Sequence, residues 1–485
     1  MKAEIKIYIT TTLPYVNSVP HIGHSLEMIQ GDFIARYLKL KYKDVQFNTG
    51  VDENGLKVYT TSVEKGIDTQ VHCDYLTKIW QEFLHKFHIK PDTFWRTTSE
   101  IHKVGVLKAW EKCLKNGDIY EKEYSGIYCL GCESFKTTKD LVDNKCPDHP
   151  HLEPKEIKEN NYFFRLSKYK EYLLEWLDKN PEFLTPKSKT EELRNLILNV
   201  EDISISRLKT SVPWGITVPN DSEQNIYVWF EALQNYFIST GYDTERWENS
   251  IQICGSDNLR FQGVILQGIL KSLGLAQTKK LLVHGTVLDN NGVKMSKSIG
   301  NVIDPISQLD KYGLSAVRFY TLGALPTYSN CNWSEADLVS FYNAHLANNL
   351  GNLINRVITI LLKNIDIDEL RNLSWIKIYH DNAFPDFNNE VKEALNRIEE
   401  YLSKYEIRSA VEELNSISTY LNKYITSKEP WKKEREECIG ILSNLYWGLS
   451  KILPYYKLIL PDKEEIIDKV FHNFEKEIIF PRIEK

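Results

Sequence analysis

Two short segments carry side chains whose types and spacing could bind a triphosphate. His21 and His24 flank Gly23, between a run rich in Ile, Tyr and Thr and a helical pattern. A helix start attracts phosphate, a glycine permits close approach to the backbone, and histidines donate hydrogen bonds to phosphate oxygens. Lys294 and Lys297, three residues apart on a glycine-flanked loop, predict a mobile cationic clamp for departing pyrophosphate. Either segment alone is more often a cap or a solvated loop, but both together favour nucleotide chemistry.

Four further residues have the spacing of metal ligands. Cys129 and Cys132 form one pair with two intervening residues, and Cys146 and His149 form a second. Three thiolates and one imidazole fill a tetrahedral zinc site and leave no open position, which is typical of a structural metal. We therefore expect one structural Zn²⁺ per chain, with two unrelated residue pairs as the alternative.

The patterns around these residues alternate between strand and helix. Residues 6–13 and 44–49 have the composition of buried strands, and residues 25–40 between them have helical spacing. Strand, helix and strand in that order predict a Rossmann-type parallel sheet. Further strands are expected at 226–230, 251–254 and 280–285, with a helix at 261–273 and helical periodicity from about residue 336 nearly to the end.

These patterns predict an α/β fold in which a Rossmann-type catalytic domain carries a zinc-knuckle insertion and precedes an all-α helix bundle. The predicted boundaries are 1–116 and 186–290 for the two halves of the catalytic domain, 117–185 for the insertion, 291–335 for the lysine loop and its surroundings, and 336–485 for the bundle.

Composition narrows the class of protein. The chain has 485 residues, 42% of them hydrophobic, and a net charge of −6, which leaves RNA binding open because local Lys/Arg clusters decide phosphate contacts. The eight scattered cysteines favour a reducing compartment. No apolar run approaches the roughly 18 residues that span a membrane, and the start lacks the features of a targeting peptide. We expect a cytoplasmic monomer that does not bind membranes.

The two nucleotide segments also carry a family resemblance. His21-Ile22-Gly23-His24 and Lys294-Met295-Ser296-Lys297-Ser298 resemble the HIGH and KMSKS signatures of class I aminoacyl-tRNA synthetases, and Pro14-Tyr15-Val16-Asn17 is similar to the methionyl group. The resemblance implies ATP with Mg²⁺, methionine and methionine tRNA as substrates, and a zinc knuckle in the insertion.

The resemblance also assigns residues to each substrate. It implies that the four motif residues are catalytic, that Asn352, Arg356 and Trp431 read the anticodon, and that Asp52 anchors the substrate ammonium group. For ATP it adds Pro14, Gly23, Gly255 and Asp257; for methionine it adds Leu13, Tyr15, Trp229, Tyr236, Phe261 and Gln262.

Departures from the family pattern cluster around the methionine pocket. Gln262 replaces the usual histidine, Glu231 an aspartate, Val51 a threonine and Asn54 a histidine. Gln262 retains hydrogen-bonding groups, so methionine remains the expected substrate. The departures leave two alternatives: a relative that charges another amino acid or serves a specialised pathway, and a catalytically silent tRNA-binding relative.

Overall fold

The computed structural model describes residues 3–129, 134–136, 141–147, 153–295, 299–372 and 385–484. The chain divides into two compact units. The first unit comprises Met1–Pro20, Leu38–Phe83 and Lys90–His284, and the second comprises His21–Tyr37, Leu84–Ile89 and Gly285–Lys485. The five segments expected from the sequence, with their four boundaries, remain predictions.

The strands of the described residues are, in chain order, β1 (Ala3–Thr10), β2 (Tyr42–Val51), β3 (Thr93–Arg96), β4 (Ile119–Cys129), β5 (Ser134–Lys136), β6 (Lys155–Phe164), β7 (Leu184–Thr185), β8 (Ile203–Ser204), β9 (Ser206–Leu208), β10 (Gln224–Ile226), β11 (Ser250–Gly255), β12 (Lys280–His284), β13 (Val287–Leu288) and β14 (Cys331–Asn332).

A six-stranded parallel sheet organises the first unit. Its strand order is β3-β2-β1-β11-β12-β7. The chain runs from β1 outward to β2 and β3, and later returns beside β1 with β11 and β12, so the order reverses between β1 and β11. Ligands of such sheets bind outside the carboxyl ends of the strands near this reversal. The predicted Rossmann-type sheet is confirmed.

Burial on both faces explains why these segments form parallel strands. Tyr8, Ile9 and Phe47 are fully buried, and so is Cys254 at the end of β11. Each fully buried large apolar side chain contributes about 1.5–3 kcal/mol relative to an exposed one. Near-continuous apolar runs are therefore stable only where the sheet is covered on both sides.

The segment predicted as an insertion contributes three of the four strands of a separate antiparallel sheet in the first unit. Its strand order is β5-β4-β6-β8, and the long pair β4–β6 runs in register from Ile119 opposite Phe164 to Tyr128 opposite Lys155. This sheet begins two residues after Gly117, near the predicted start of the insertion.

Helices make up most of the rest of the described chain. The α-helices are Ile22–Lys41, Leu56–Glu64, Thr69–Lys86, Glu100–Lys115, Lys170–Lys179, Thr190–Leu198, Val228–Glu231, Asn235–Ile238, Thr244–Glu248, Leu266–Ser272, Pro305–Tyr312, Leu314–Gly323, Glu335–Tyr342, Asn352–Asn364, Ile367–Asn372, Pro385–Ser403, Ile407–Lys428, Arg435–Ile459 and Glu464–His472.

The second unit confirms the predicted helical region. Its helices share a core that includes the fully buried Leu353, Leu421 and Leu449. Inside this unit the buried Arg318 guanidinium donates to Asp32 at 2.7 Å and to the Ile459 carbonyl at 2.9 Å. A buried charge requires such pairing, because an unpaired one would be strongly destabilising.

Three predicted elements differ from the structure. The strand expected at 226–230 is β10 followed by the helix Val228–Glu231, because a short apolar run does not distinguish a buried strand from a buried helix. The helix expected at 261–273 starts with a π turn at Phe261–Ile265. Helical structure ends at His472, where the left-handed Phe474 and then Pro481 prevent its continuation toward residue 485.

Among the described residues, no helix combines the length and the apolar character needed to cross a bilayer.

Candidate functional site

The two motif histidines form a compact turn at the start of the helix Ile22–Lys41. The His21 backbone N–H donates to His24 Nδ1 at 3.1 Å, and the Gly23 N–H donates to His21 Nδ1 at 3.1 Å. The two rings lie 3.8 Å apart between centroids. A Cβ at position 23 would stand 2.8 Å from His21 Cε1, so only glycine fits without displacing that ring.

These two hydrogen bonds define the tautomer of each ring. A nitrogen that accepts an N–H bond carries no proton, so in a neutral imidazole the proton resides on Nε2. Nε2 is then the donor nitrogen of both His21 and His24. The turn therefore presents two N–H donors of the kind that stabilise charge developing on phosphate oxygens.

The predicted lysine clamp belongs to the same compact unit as this turn. The Ile22 N–H donates to the Ile303 carbonyl at 3.0 Å, which joins the histidine turn to the segment following the lysine loop. Lys294 is exposed, and its backbone pairs with that of Leu288 in an isolated antiparallel β-bridge. Lys297 lies outside the described residues.

Asp289 holds the base of the lysine loop. Its Oδ1 accepts the Asn291 and Val293 N–H groups, each at 2.9 Å, and its Oδ2 accepts from Asn301 Nδ2 at 2.8 Å. Asn301 also donates to the Lys294 carbonyl at 3.4 Å. These contacts lower the pKa of Asp289, chiefly through the Asn301 hydrogen bond, so the carboxylate is ionised when it organises the loop.

In the first unit, the predicted ligand residues gather at the carboxyl edge of the parallel sheet. Pro14 and Tyr15 follow β1, Asp52 follows β2, and Gly255 ends β11. The Pro14 carbonyl accepts the Asp52 N–H at 2.9 Å, which joins the first two loops. Asp257 follows β11 and is exposed, and a Cβ on Gly255 would stand 2.7 Å from Asp257 Oδ1.

Aromatic rings form a wall beside Asp52. Trp229 stacks on Phe261 with ring centroids 3.6 Å apart and planes inclined by 13°. Tyr15 meets Trp229 edge-on, with 6.1 Å between the ring centroids. Leu13 packs, like Phe261, against the buried hydrophobic core of the first unit. Trp229 and Phe261 are only partly buried, so they retain surface for a ligand. Such a wall suits a thioether, which gains dispersion and sulfur–aromatic contact.

Gln262, the residue after Phe261, forms a buried hydrogen bond. Its Nε2 donates to the Tyr236 hydroxyl at 2.9 Å, and both side chains are almost completely buried. Its Oε1 has no hydrogen-bond partner among the described residues. The departure at this position therefore preserves a hydrogen bond to a predicted pocket residue.

Two other departures are hydrogen-bonded to each other. Asn54 Nδ2 donates to Glu231 Oε1 at 2.7 Å, and His102 Nε2 lies 3.0 Å from the same oxygen. Burial raises the pKa of Glu231 to about 8; the Glu53 carboxylate acts in the same direction and the Asn54 hydrogen bond opposes it. Burial lowers the pKa of His102 to about 3, so its imidazole is neutral.

Neither His102 nor Thr97, which also contacts this group, was predicted from the sequence. The Thr97 hydroxyl donates to Asp52 Oδ1 at 3.3 Å and accepts the Glu53 N–H at 2.9 Å. Neither residue belongs to a motif or has ligand spacing. Only tertiary structure brings them to the carboxylate.

The predicted anticodon residues meet on one surface of the second unit. Asn352 and Arg356 lie one turn apart on the helix Asn352–Asn364, as predicted. The Arg356 guanidinium lies 5.5 Å from the centroid of the Trp431 ring and donates to Thr426 at 3.3 Å. Trp431 follows the helix Ile407–Lys428 and is 49% exposed, so it does not belong to the core.

The proposed zinc ligands are only partly within the described residues. Cys129, the last residue of β4, and Cys146 are both buried. Cys132 and His149 lie outside the described residues. Within the described ranges no group of three or more His, Cys, Asp or Glu residues could hold a metal. The burial of these two thiols is compatible with metal ligation, and the full ligand set remains a prediction.

Comparison with known proteins places the chain in a family. The family described as "tRNA synthetases class I (M)" matches residues 7–155 and 150–358. A methionine–tRNA ligase of Caldanaerobacter subterraneus subsp. tengcongensis is 35% identical over 462 residues, covering 93% of this chain and 71% of that protein. A methionine–tRNA ligase of Rickettsia bellii is 35% identical over 463 residues, covering 93% of this chain and 89% of that protein.

Solved structures agree with these sequence matches. The methionyl-tRNA synthetase of Mycobacterium tuberculosis in complex with methionyl-adenylate superposes with a TM-score of 0.88 at 28% identity, covering 99% of this chain and 100% of that one. The structure of the apo form of that enzyme superposes with a TM-score of 0.82 at 25% identity, covering 100% and 99%. On its motifs, its fold and these matches, the chain belongs to the methionyl group of class I aminoacyl-tRNA synthetases.

Proposed function

We propose that this chain is a methionine–tRNA ligase, which activates methionine with ATP and transfers it to methionine tRNA. The observation that carries the proposal is the aromatic wall of Tyr15, Trp229 and Phe261 beside the buried Asp52, at the carboxyl edge of a Rossmann-type sheet. A carboxylate for an ammonium group and an apolar wall for a thioether are the two features that methionine requires.

The first half-reaction forms an adenylate. A carboxylate oxygen of methionine attacks the α-phosphorus of ATP in line, the bond to the bridging oxygen breaks, and pyrophosphate leaves with that electron pair. His21 and His24 donate from Nε2 to the phosphoryl oxygens as their charge grows. Lys294 and Lys297 neutralise the departing pyrophosphate, and Mg²⁺ carried by ATP would supply further positive charge there. No protein nucleophile is needed, because catalysis is mostly positioning and electrostatics.

The remaining ATP and methionine residues act by binding. Gly23 and Gly255 permit close approach of the nucleotide to the backbone, Pro14 adds a contact to the nucleotide, and Asp257 offers a carboxylate to its hydroxyl groups. Asp52 pairs with the substrate ammonium group. Its burial strengthens that pair compared with an exposed ion pair.

Within the amino acid pocket, each remaining side chain contacts or supports the substrate. Leu13, Tyr15, Trp229 and Phe261 contact the side chain of methionine. Tyr236 and Gln262 support that wall through their mutual hydrogen bond.

The second half-reaction transfers the aminoacyl group to tRNA. The 2′-hydroxyl of the terminal ribose attacks the carbonyl carbon, and AMP leaves. Asn352, Arg356 and Trp431 recognise anticodon bases, since unstacked bases are read by aromatic faces together with amide and guanidinium donors. The arrangement of Arg356 over Trp431 supports this role.

Cys129, Cys132, Cys146 and His149 would hold one Zn²⁺, which would organise the insertion without taking part in the chemistry. The protein acts in the cytoplasm as a monomer, which light scattering of the purified chain tests.

Amino acid-dependent ATP–pyrophosphate exchange tests the proposal. Among the standard amino acids, methionine should give the fastest exchange, and Lys297→Ala should lower it by more than about tenfold because a charge that neutralises pyrophosphate is lost. Faster exchange with another amino acid would identify a relative with a different substrate. Binding of tRNA without any exchange would identify a silent relative.

A further inference from the structure

A buried chain of hydrogen bonds lies behind Asp52 and has no role in the reaction as described above. We call it the support chain; it consists of Thr97, Asn54, Glu231, His102 and Trp95. All five side chains are buried, and Asn54 contacts Glu231 across 177 positions of sequence. A buried polar chain of this kind fixes geometry, because breaking one bond leaves a desolvated group without a partner.

We propose that the support chain holds Asp52 at a fixed distance from Trp229 and thereby sets the affinity for the α-ammonium group of the amino acid. Asn54, Glu231 and His102 are positioning residues and make no contact with the substrate. The inference rests on the proposed function, because it concerns the amino acid pocket of that reaction.

One end of the chain orients the carboxylate of Asp52. Oδ1 of Asp52 accepts from the Thr97 hydroxyl and from the Asn54 N–H, both at 3.3 Å. Asn54 Nδ2 in turn lies 3.3 Å from the Thr97 carbonyl and 3.4 Å from its hydroxyl oxygen. The Asn54 side chain, together with the Glu53 N–H at 2.9 Å, therefore helps to orient the Thr97 hydroxyl that donates to Asp52.

The other end of the chain reaches the aromatic wall. Glu231 ends the helix Val228–Glu231, whose second residue is Trp229. The 2.7 Å bond from Asn54 Nδ2 to Glu231 Oε1 thus joins the loop after β2 to the helix that carries the Trp229 ring. This bond fixes the spacing between the ammonium-binding carboxylate and the thioether-binding wall.

The donors and acceptors around Glu231 determine which hydrogen bonds its carboxyl group accepts. His102 Nδ1 accepts from Trp95 Nε1 at 3.0 Å, so the imidazole proton is on Nε2 and donates to Glu231 Oε1. Oε1 of Glu231 therefore accepts two bonds, from His102 and from Asn54. Two donors aimed at one buried oxygen hold the carboxyl group in a single rotamer.

The test separates loss of ammonium binding from general damage to the pocket. In wild-type protein, methioninol should inhibit methionine-dependent exchange more strongly than its desamino analogue, because only methioninol carries the ammonium group. Asn54→Ala should raise the methionine KM and the methioninol Ki about tenfold, the effect of losing about one hydrogen bond. The Ki of the desamino analogue, the KM for ATP and kcat should change by less than about twofold.

A double variant that transfers one methylene group from Glu231 to Asn54 should restore methioninol binding. Asn54→Gln adds one methylene to one partner, and Glu231→Asp removes one from the other. Each single variant should weaken methioninol, while the double variant Asn54→Gln/Glu231→Asp should recover most of the loss, because the total length across the bond is unchanged.

The matched control is Asn161→Ala in β6. Asn161 is also buried and donates from Nδ2 to a buried glutamate, Glu159, at 3.3 Å, but its contacts do not lead to Asp52. Its methioninol Ki should equal that of wild type. Equal weakening of both analogues by Asn54→Ala, equal damage from Asn161→Ala, or no recovery in the double variant would refute the positioning role alone. Absence of methionine-dependent exchange in wild type would refute the proposed function and this inference together.

Discussion

Replacing His24 by Asn and by Gln separates the two nitrogens of its ring. In the structure, His24 Nδ1 accepts the His21 N–H at 3.1 Å, which leaves Nε2 as the donor. An asparagine amide oxygen reaches about where Nδ1 lies, so His24→Asn keeps the turn and deletes the donor. A glutamine amide reaches about where Nε2 lies, so His24→Gln keeps a donor and gives up the backbone bond.

The expected magnitudes follow from those two roles. Loss of one donor to a developing oxyanion costs about 100- to 1000-fold in kcat, or roughly 3–4 kcal/mol of transition-state stabilisation. Loss of the backbone bond costs only about 1 kcal/mol of stability. His24→Asn should therefore lower kcat for methionine-dependent pyrophosphate exchange by about 100-fold or more, with little change in the unfolding temperature.

His24→Gln should lie between wild type and His24→Asn in kcat. Both variants should keep a KM for ATP within about threefold of wild type, because the lost interaction forms mainly in the transition state. Equal kcat values for the two variants, or a normal kcat for His24→Asn, would refute the assignment of Nε2 as the catalytic donor.

Three further predictions concern other parts of the chain. Trp431→Ala should raise the tRNA KM in aminoacylation by roughly tenfold or more through loss of base stacking, while pyrophosphate exchange without tRNA stays at the wild-type rate; parallel loss of both activities would contradict an anticodon role. Protein purified without chelators should contain about one zinc per chain by atomic absorption, and Cys146→Ala should lose it; metal-free wild-type protein with normal thermal stability would contradict a structural zinc. The folded pKa of Glu231, about 8, exceeds its unfolded value of 4.5, so its contribution to stability is full below pH 4.5 and is lost as pH rises through 8. In wild type, this ionisation should lower the unfolding free energy by roughly 1 kcal/mol between about pH 7 and 9. Glu231→Gln should abolish that decrease, so its unfolding temperature should depend less on pH than that of wild type. An unchanged dependence on pH would contradict the buried ionisation.

The extent to which sequence predicted the fold depended on the length of each pattern. The helix at 25–40 and the strand at 44–49 have long patterns and appear as Ile22–Lys41 and β2. The run at 226–230 is too short for its period to be read, and it divides into β10 and a helical turn. Burial by surrounding elements decided that segment, and a sequence window does not contain those elements.

The candidate site divides in a similar way. The histidine turn was predictable because its residues are neighbours in sequence, and the structure adds their tautomers through two backbone hydrogen bonds. Thr97 and His102 were not predictable, since their relation to Asp52 and Glu231 arises only after the parallel strands align. Contacts between distant segments depend on topology, and residue spacing carries no record of them.

Three of the four departures from the family pattern concern the support of the methionine pocket more than the surface that meets the ligand. Asn54 and Glu231 are bonded to each other, and Gln262 retains a bond to Tyr236. These three side chains are almost completely buried. The rings of Trp229 and Phe261, which remain partly exposed, are of the types that a thioether favours.

Changing the preferred amino acid would require a different shape or polarity on the surface that contacts its side chain, because discrimination arises from contacts that one substrate makes and another lacks. The paired changes at Asn54 and Glu231 lie behind that surface. One side chain is shorter and the other longer than is usual in the family, so the hydrogen bond between them can preserve the geometry of the surface. These departures therefore argue for retained methionine specificity. These three residues that differ from the family pattern form the hydrogen bonds that hold the ligand-binding groups, and they do not form the surface that contacts the ligand.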